Sequence, residues 1–186
     1  MATNKRDLLL STAERLFYTE GYHATGIDRI LSESGVAKMT LYKHFKSKEE
    51  LILAVLDARQ LPMLERLRDA RDTLPPRKAL LGVFEGLNNM IHSPSAFCGC
   101  LFINAAAEYH DRDHPIHQRS ATYKAQFQTH LRELLEALDA PQPEQLARQL
   151  QFLIEGALSM AHIEGPADQA LLAKAAADQL LQAAGV

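Results

Sequence analysis

The segment from residue 38 to residue 46 carries side chains that can read a nucleic acid. It has three Lys and no acidic residue, whereas a helix that faces only water is usually rich in Glu. At about 100° per residue on a helical wheel, Leu41 and Phe45 share one face, and Met39 and Lys43 point away from it. The outward side can contact phosphates and base edges, because it combines a cation, a phenol, a hydroxyl, an imidazole and an apolar tip. The flanking positions are Tyr42 and Lys46 on one side and Thr40 and His44 on the other.

Three helices are predicted to hold this segment in place. Apolar residues spaced three and four apart predict a first helix over about 5–20, which stops at Gly21. A second helix begins near Gly26 and ends at Gly35. Only two residues then precede the lysine-rich helix, and one of them, Ala37, is predicted to face the core. A short glycine-containing turn between two helices is typical of a helix-turn-helix.

Two capping boxes mark helix starts in this region. Thr25 and Asp28 have the spacing in which a hydroxyl and a carboxylate each bind a free backbone amide. Ser47 and Glu50 repeat the pattern at the start of a fourth helix. The positive dipole end of that helix, with Lys48 beside it, is predicted to bind a DNA phosphate.

The composition is that of a globular helical protein. The 186 residues are 47% hydrophobic and 23% charged, which is ordinary for a chain that buries one or two cores. Alternating strand patterns are scarce, so we expect an all-α fold of about nine helices. No apolar run reaches about 18 residues and no signal-peptide core follows the N-terminus, so we expect a cytoplasmic protein without a membrane partner.

Charge is divided unevenly along the chain. The first 48 residues carry eight Lys and Arg against five Asp and Glu, whereas the rest carries twelve against eighteen. A basic head gains from phosphate contacts while an acidic body stays clear of DNA. We therefore predict a DNA-binding domain over residues 1–48 and a helical regulatory and dimerisation domain over residues 49–186. Pro62, within the fourth helix, predicts a bend near residues 58–61.

Two groups of reactive side chains in the body indicate other possible chemistry. Cys98 and Cys100 are predicted to open a sixth helix, whose dipole would activate a thiol toward oxidants or electrophiles. His110, His114 and His117 are of the residue type that binds metals, with a solvated loop as the alternative, because no recognised ligand motif anchors them. No nucleophile, base and orienting group can be paired by spacing, so we expect neither an enzyme nor a cofactor.

The most specific signature runs from residue 35 to residue 51. It reads Gly-Val-Ala-Lys-Met-Thr-Leu-Tyr-Lys-His-Phe-Lys-Ser-Lys-Glu-Glu-Leu. The residues that precede it with matching spacing are Ala13, Phe17, Gly21, Thr25, Ile27 and Ile30. Together they resemble the TetR/AcrR family of bacterial repressors. The resemblance implies an N-terminal helix-turn-helix domain followed by a helical ligand-binding and dimerisation domain.

The resemblance also implies a set of DNA contacts. Thr25 and Lys48 would contact phosphates, and Tyr42 and His44 would contact the DNA backbone. Ala37 departs from the family, which often has a Ser or Thr cap there, so the next helix should fray more. The side chains at base edges would be Lys38, Met39, Thr40 and Lys43. Lys43 replaces a residue that is often aromatic in the family.

A ligand pocket between helices needs mostly apolar walls with a few convergent polar groups. Asn104 and His162 are the first candidates among polar residues in apolar segments, and a satisfied buried group or an exposed side chain is the alternative. The candidate pocket residues are Phe84, Phe102, Asn104, Glu108, Tyr123, Phe127 and His162.

The last two helices, predicted at about 144–164 and 167–184, are rich in small residues and carry more Leu and Ile than one internal face requires. This pattern favours burial against a second copy, with an intramolecular core as the alternative. The family resemblance implies a homodimer, whose two recognition helices would meet half-sites about 34 Å apart. We expect a repressor that binds a palindromic operator and is released by a small-molecule inducer. The alternatives are a ligand-independent regulator and a thiol-responsive repressor that uses Cys98 or Cys100.

Overall fold

The computed structural model describes residues 4–93 and 96–186, and within them it contains nine helices and no strand. The predicted all-α fold is confirmed. No helix of the described part is long and apolar enough to cross a lipid bilayer. The helices are α1 Lys5–Glu20, α2 Ile27–Ser34, α3 Lys38–His44, α4 Lys48–Thr73, α5 Pro76–Ile91, α6 Leu101–Glu108, α7 Pro115–Glu136, α8 Pro143–Glu164 and α9 Gln169–Ala183.

The first of two compact units comprises Met1–Leu61 and Leu101–Thr122. Within it α1 packs against α2 and α3, because apolar side chains recur three and four residues apart on each helix. Phe17, Ile30 and Leu41 are buried in this core. The core therefore holds α3 against α1 and leaves the opposite face of α3 exposed.

Glycines end α1 and α2, as predicted. Gly21 has φ 92° and Gly35 has φ 64°, a backbone region that favours glycine because it has no Cβ. Their amides donate to the carbonyl oxygens of Phe17 at 3.2 Å and Leu31 at 2.9 Å. The chain thus passes from α2 to α3 through a tight left-handed turn.

Helix α4 contains Pro62 and remains helical on both sides of it. Proline has no N–H, so one backbone hydrogen bond of the helix is missing there. The boundary between the two compact units falls between Leu61 and Pro62. The bend near residues 58–61 stays a prediction.

The second compact unit comprises Pro62–Cys100 and Tyr123–Val186. Helix α9 packs closely on α5 and α8, because small side chains such as Ala173 and Ala177 face them. Phe84 on α5 is buried in the same core. This unit therefore has its own apolar core.

Candidate nucleic-acid interface

The outward side of α3 is exposed, as the helical wheel predicts. Met39 exposes 78% of its surface and Tyr42 45%, and Lys43 also faces solvent. On the opposite side Leu41 and Phe45 are buried. We call the following residues the α3 outer face: Met39, half-buried Thr40, Tyr42, Lys43, His44 and Lys46.

Both ends of α3 differ in detail from the prediction. The helix ends at His44 rather than Lys46, because Phe45 has an extended backbone with φ −139°. Ala37 is exposed, so the prediction that it faces the core is wrong. It occupies the N-cap position without a side-chain hydrogen bond. A Ser or Thr cap typically contributes about 1 kcal/mol, so the fraying of α3 at its start stays a prediction.

Thr25 does not form the predicted capping box, since Gly26 is the N-cap of α2 and no side chain caps it. The Thr25 hydroxyl instead donates to the carbonyl oxygens of Gly21 at 2.7 Å and Leu16 at 3.3 Å. Its side chain is fully buried. Thr25 therefore braces the α1–α2 turn, and its hydroxyl is not available to the phosphate that we expected it to contact.

The second capping box forms at the start of α4. Ser47 Oγ accepts a hydrogen bond from the Glu50 amide at 3.1 Å, and Glu50 Oε2 accepts one from the Lys46 amide at 2.7 Å. Lys48 Nζ donates to the His23 carbonyl oxygen at 3.3 Å, and burial lowers the pKa of Lys48. Lys48 thus ties α4 to the α1–α2 turn beside the positive end of the α4 dipole.

Ion pairs with acidic residues determine which Lys and Arg side chains of the first unit are available to contact DNA. Arg15 and Arg29 both pair with Glu33 at 2.8 Å. Lys38 Nζ lies 3.3 Å from Asp28 Oδ1. By contrast, Lys43 and Lys46 have no acidic partner among the described residues. No ion pair therefore competes with a phosphate or base contact of Lys43 and Lys46.

Arg6 is a cation near α3 whose position the sequence alone did not predict. Its guanidinium carbon lies 5.5 Å from the centroid of the Phe45 ring, within cation–π range. Asn4 caps α1 by accepting a hydrogen bond from the Arg6 amide at 3.1 Å. The contact places a cation beside the end of α3. A basic residue at the start of α1 was the available signal, but its partner is 39 residues away.

Glu108, expected in the ligand pocket, binds the protein's own backbone. Its Oε1 accepts a hydrogen bond from the Tyr22 amide at 2.7 Å, and its Oε2 accepts one from the His23 amide at 2.6 Å. The Tyr22 hydroxyl also donates to the Leu101 carbonyl oxygen at 2.9 Å. Gly21 makes room, since a Cβ there would lie 3.1 Å from Glu108 Oε1. We call these contacts between α6 and the α1–α2 turn the Glu108 clasp, in which both carboxylate oxygens bind backbone amides of the chain itself.

The histidines that could have formed a metal site have structural contacts instead. Tyr109 packs between the rings of His23 and His114, with centroids 4.6 and 4.7 Å away. His117 Nδ1 lies 2.9 Å from the Tyr109 carbonyl oxygen. His110 is exposed. The described residues contain no group of three or more His, Cys, Asp or Glu arranged around an ion.

The six other predicted pocket residues are divided between the two units. Phe102 and Asn104 belong to the first unit, and the others belong to the second. His162 is exposed beside Gly99, where a Cβ would lie 3.2 Å from its ring, so it does not line an enclosed pocket. Two concavities in the second unit, of about 210 and 360 Å³, are lined by none of the six. The buried aromatic members of the set are Phe84, Phe102, Tyr123 and Phe127, and Asn104 is half-buried.

Neither cysteine forms a disulfide, and both are half-buried. Helix α6 begins at Leu101, so the prediction that Cys98 and Cys100 open this helix is wrong. Cys100 Sγ accepts a hydrogen bond from Lys124 Nζ at 3.4 Å. The same ammonium lies 2.5 Å from Glu155 Oε1. Cys100 therefore lies beside an ion pair of the second unit.

Helices α8 and α9 each expose large apolar side chains. Ile163 exposes 75% of its surface, Phe152 69% and Leu172 62%. Isolated exposed apolar residues are ordinary, but a set on two adjacent helices is typical of a protein-binding surface. We call the following residues the α8–α9 apolar face: Phe152, Met160, Ile163, Leu171 and Leu172.

A basic outer face on the second helix of a helix-turn-helix, joined to a larger helical body, defines a DNA-binding transcriptional regulator. The family model described as bacterial regulatory proteins, tetR family, matches residues 9–55, and the model of the tetracyclin repressor-like C-terminal domain matches residues 76–177. The chain belongs to the TetR family of bacterial transcriptional regulators.

Individual relatives agree with this assignment. The solved structure of SCO4454, a TetR-family transcriptional regulator from Streptomyces coelicolor, superimposes with a TM-score of 0.92 at 34% identity and covers 98% of this chain and 96% of that one. The HTH-type transcriptional regulator YjdC of Escherichia coli is 26% identical over 83% of this chain and 82% of its own. The HTH-type transcriptional activator FasR of Mycolicibacterium smegmatis is 38% identical over 54% of this chain, which spans 46% of FasR.

Proposed function

We propose that this protein is a repressor that binds a palindromic operator as a homodimer and releases it when a small-molecule inducer binds. The α3 outer face carries the proposal, because an exposed helix with unpaired lysines and an apolar tip suits the major groove. The DNA-binding domain would span residues 1–48, and residues 49–186 would regulate and dimerise. Such a protein would act in the cytoplasm, on chromosomal DNA.

We assign the proposed contacts by position on the α3 outer face. Met39 and Lys43 point directly away from the core and would meet base edges. Tyr42 and His44 flank them and would contact the DNA backbone, and Lys48 would contact a phosphate at the start of α4. The base-facing set is completed by Lys38 and Thr40.

Lys43→Ala and Lys48→Ala should weaken DNA binding in different ways. Loss of a base contact at Lys43 should cost about 1–3 kcal/mol and relax the preference at one base-pair position. Loss of a phosphate contact at Lys48 should weaken binding to all DNA sequences equally. It should also reduce the slope of log K against log salt concentration by about one. Fluorescence anisotropy over a salt series measures both effects. Unchanged affinity in both variants would overturn the contact assignment.

Arg6→Met should also lower the salt slope by about one, because we assign Arg6 to a phosphate beside the end of α3. The flexible apolar side chain of methionine can still pack against the Phe45 ring, so folding should be preserved. Arg15→Met is the matched control, since Arg15 is already paired with Glu33. An equal effect in the two variants would mean that Arg6 acts only through overall charge.

The α8–α9 apolar face supports the proposed homodimer. Five large apolar side chains on two adjacent helices would bury their surface against the same helices of a second copy, which gives the self-complementary interface that a two-fold axis requires. The dimer would present two α3 helices to the two halves of the operator.

The inducer and the direction of regulation are tested together. FasR is named an activator, and ComR of Escherichia coli, which is 32% identical over 53% of this chain, is named a repressor. A promoter reporter with the full-length protein should show repression that an effective compound relieves. A ligand-independent regulator would instead bind the operator with the same affinity in the presence of every compound tested.

A thiol-reactive compound is a second candidate inducer, favoured by the contact of Lys124 with Cys100. Lys124 Nζ lies 3.4 Å from Cys100 Sγ, and the thiolate form of a cysteine is the nucleophile that attacks such compounds. N-ethylmaleimide, which adds the sulfur and a hydrogen across its carbon–carbon double bond, should weaken operator binding by the wild type and by Cys98→Ser. Cys100→Ser should resist. If both variants respond like the wild type, Cys100 is not the trigger.

A further inference from the structure

A concavity of about 210 Å³ lies in the second unit, between α4 and α7. It shares no residue with the α3 outer face or with the predicted ligand pocket. We call it the α4–α7 concavity. The residues that line it are Arg68, Arg71, Gln126, Thr129, His130 and Glu133.

The charges around the concavity favour an anion. Arg71 is bound to the Glu133 carboxylate and, at 3.0 Å, to Asp72. Arg68 has no acidic partner among the described residues. The lining thus holds two guanidinium groups and one carboxylate. No acidic residue of the described part balances the charge of Arg68. A guanidinium presents paired N–H donors that match a carboxylate or a phosphate.

His130 supplies an independent observation. It exposes only 7% of its surface, and its Nδ1 is buried without a hydrogen-bond partner. Glu133 Oε2 lies 3.5 Å from that nitrogen. Burial lowers the pKa of His130, Glu133 opposes this effect, and the charges of Arg68 and Arg71 add to it. A buried polar atom left unpaired is uncommon in proteins and calls for a partner that completes the site.

We propose that the α4–α7 concavity binds a small oxyanion, a carboxylate or phosphate group, between the Arg68 guanidinium and the His130 ring. The anion offsets the two arginine charges that disfavour protonation of the ring. The ring then takes up a proton and carries a positive charge beside both the anion and the Glu133 carboxylate. The site goes beyond the proposed repressor function and does not depend on operator binding.

The test is a titration of the full-length protein with acetate and, separately, with inorganic phosphate. Nuclear magnetic resonance follows the carbon-bound ring protons of His130, which are assigned by comparison with His130→Gln. A saturable shift is expected with at least one of the two anions, and the anion that saturates identifies the preferred group. Arg68→Gln should weaken binding about tenfold or more, whereas Arg66→Gln should not. Arg66 lies on the same helix and donates to the Pro62 carbonyl oxygen at 3.1 Å.

The pH dependence gives a second readout. Acetate remains ionised at neutral pH. An increase in acetate affinity as the pH falls from about 8 to about 6 would therefore report proton uptake by the protein. The proposal is overturned if neither anion shifts the His130 signals saturably, if Arg66→Gln and Arg68→Gln weaken binding equally, or if acetate affinity is independent of pH.

Discussion

Glu108→Ala is expected to lower the free energy of unfolding by about 2–3 kcal/mol. The substitution removes the acceptor for the amides of Tyr22 and His23, which lie 2.7 and 2.6 Å from the carboxylate oxygens. Hydrogen bonds to a charged acceptor are stronger than neutral ones, and the Tyr22 side chain is fully buried. Urea denaturation with an unchanged m value would measure the loss.

Glu65→Ala is the control for this prediction, because Glu65 is an exposed residue on α4. Its effect should stay within about 0.5 kcal/mol. The loss of unfolding free energy for Glu108→Gln should lie between the values for Glu108→Ala and Glu65→Ala, because the Gln side chain keeps one oxygen acceptor. If Glu108→Ala is as stable as Glu65→Ala, the Glu108 clasp does not stabilise the fold.

The double variant Ile163→Asp, Leu172→Asp is expected to separate the proposed dimer and to lower operator affinity more than about 100-fold. Burial of an unpaired charge at an interface costs about 3–5 kcal/mol, and the two copies would together bury four carboxylates. A monomer keeps only one recognition helix and loses the second half-site. Sedimentation equilibrium measures the mass, and fluorescence anisotropy measures the affinity.

Leu61→Asp provides the matched control for the dimer prediction. Leu61 exposes 58% of its surface on α4 and lies outside the α8–α9 apolar face. This variant should keep the dimer mass and most of the operator affinity. A double variant that retains the wild-type mass would show that α8 and α9 do not form the interface.

Local sequence patterns predict the helix-turn-helix well. Gly21 and Gly35 mark helix ends because few other residues tolerate the backbone angles observed there. Leu41 and Phe45 are four residues apart, so their burial determines which side of α3 faces solvent. Each of these features depends on residues within a few positions of one another.

Contacts between distant residues could not be predicted in this way. Even close along the chain, the Thr25 hydroxyl could bind either an amide at the start of α2 or a carbonyl oxygen near the end of α1. It donates to the carbonyl oxygens of Gly21 and Leu16. Glu108 is 86 residues from Tyr22 along the chain. No spacing rule connects positions so far apart, so the Glu108 clasp could be identified only in the folded structure.

The ligand-pocket residues were the hardest to predict, for a related reason. An apolar stripe indicates which helix face is buried, and Phe84 and Tyr123 are buried accordingly. Burial does not reveal whether the facing helix fills the space or leaves a cavity. Polar residues give no better guide, because His162 is exposed and Glu108 is bound to backbone.

Selection of genomic DNA fragments by the protein, followed by sequencing, tests recognition through the α3 outer face. An inverted repeat should be enriched whose half-site centres are about 34 Å apart along the DNA helix, or a multiple of that distance. Lys43→Ala should relax one base-pair position in each half-site, whereas Arg132→Ala, on α7, should recover the wild-type motif. Fragments without a shared motif, or an unchanged motif with Lys43→Ala, would contradict recognition through the α3 outer face.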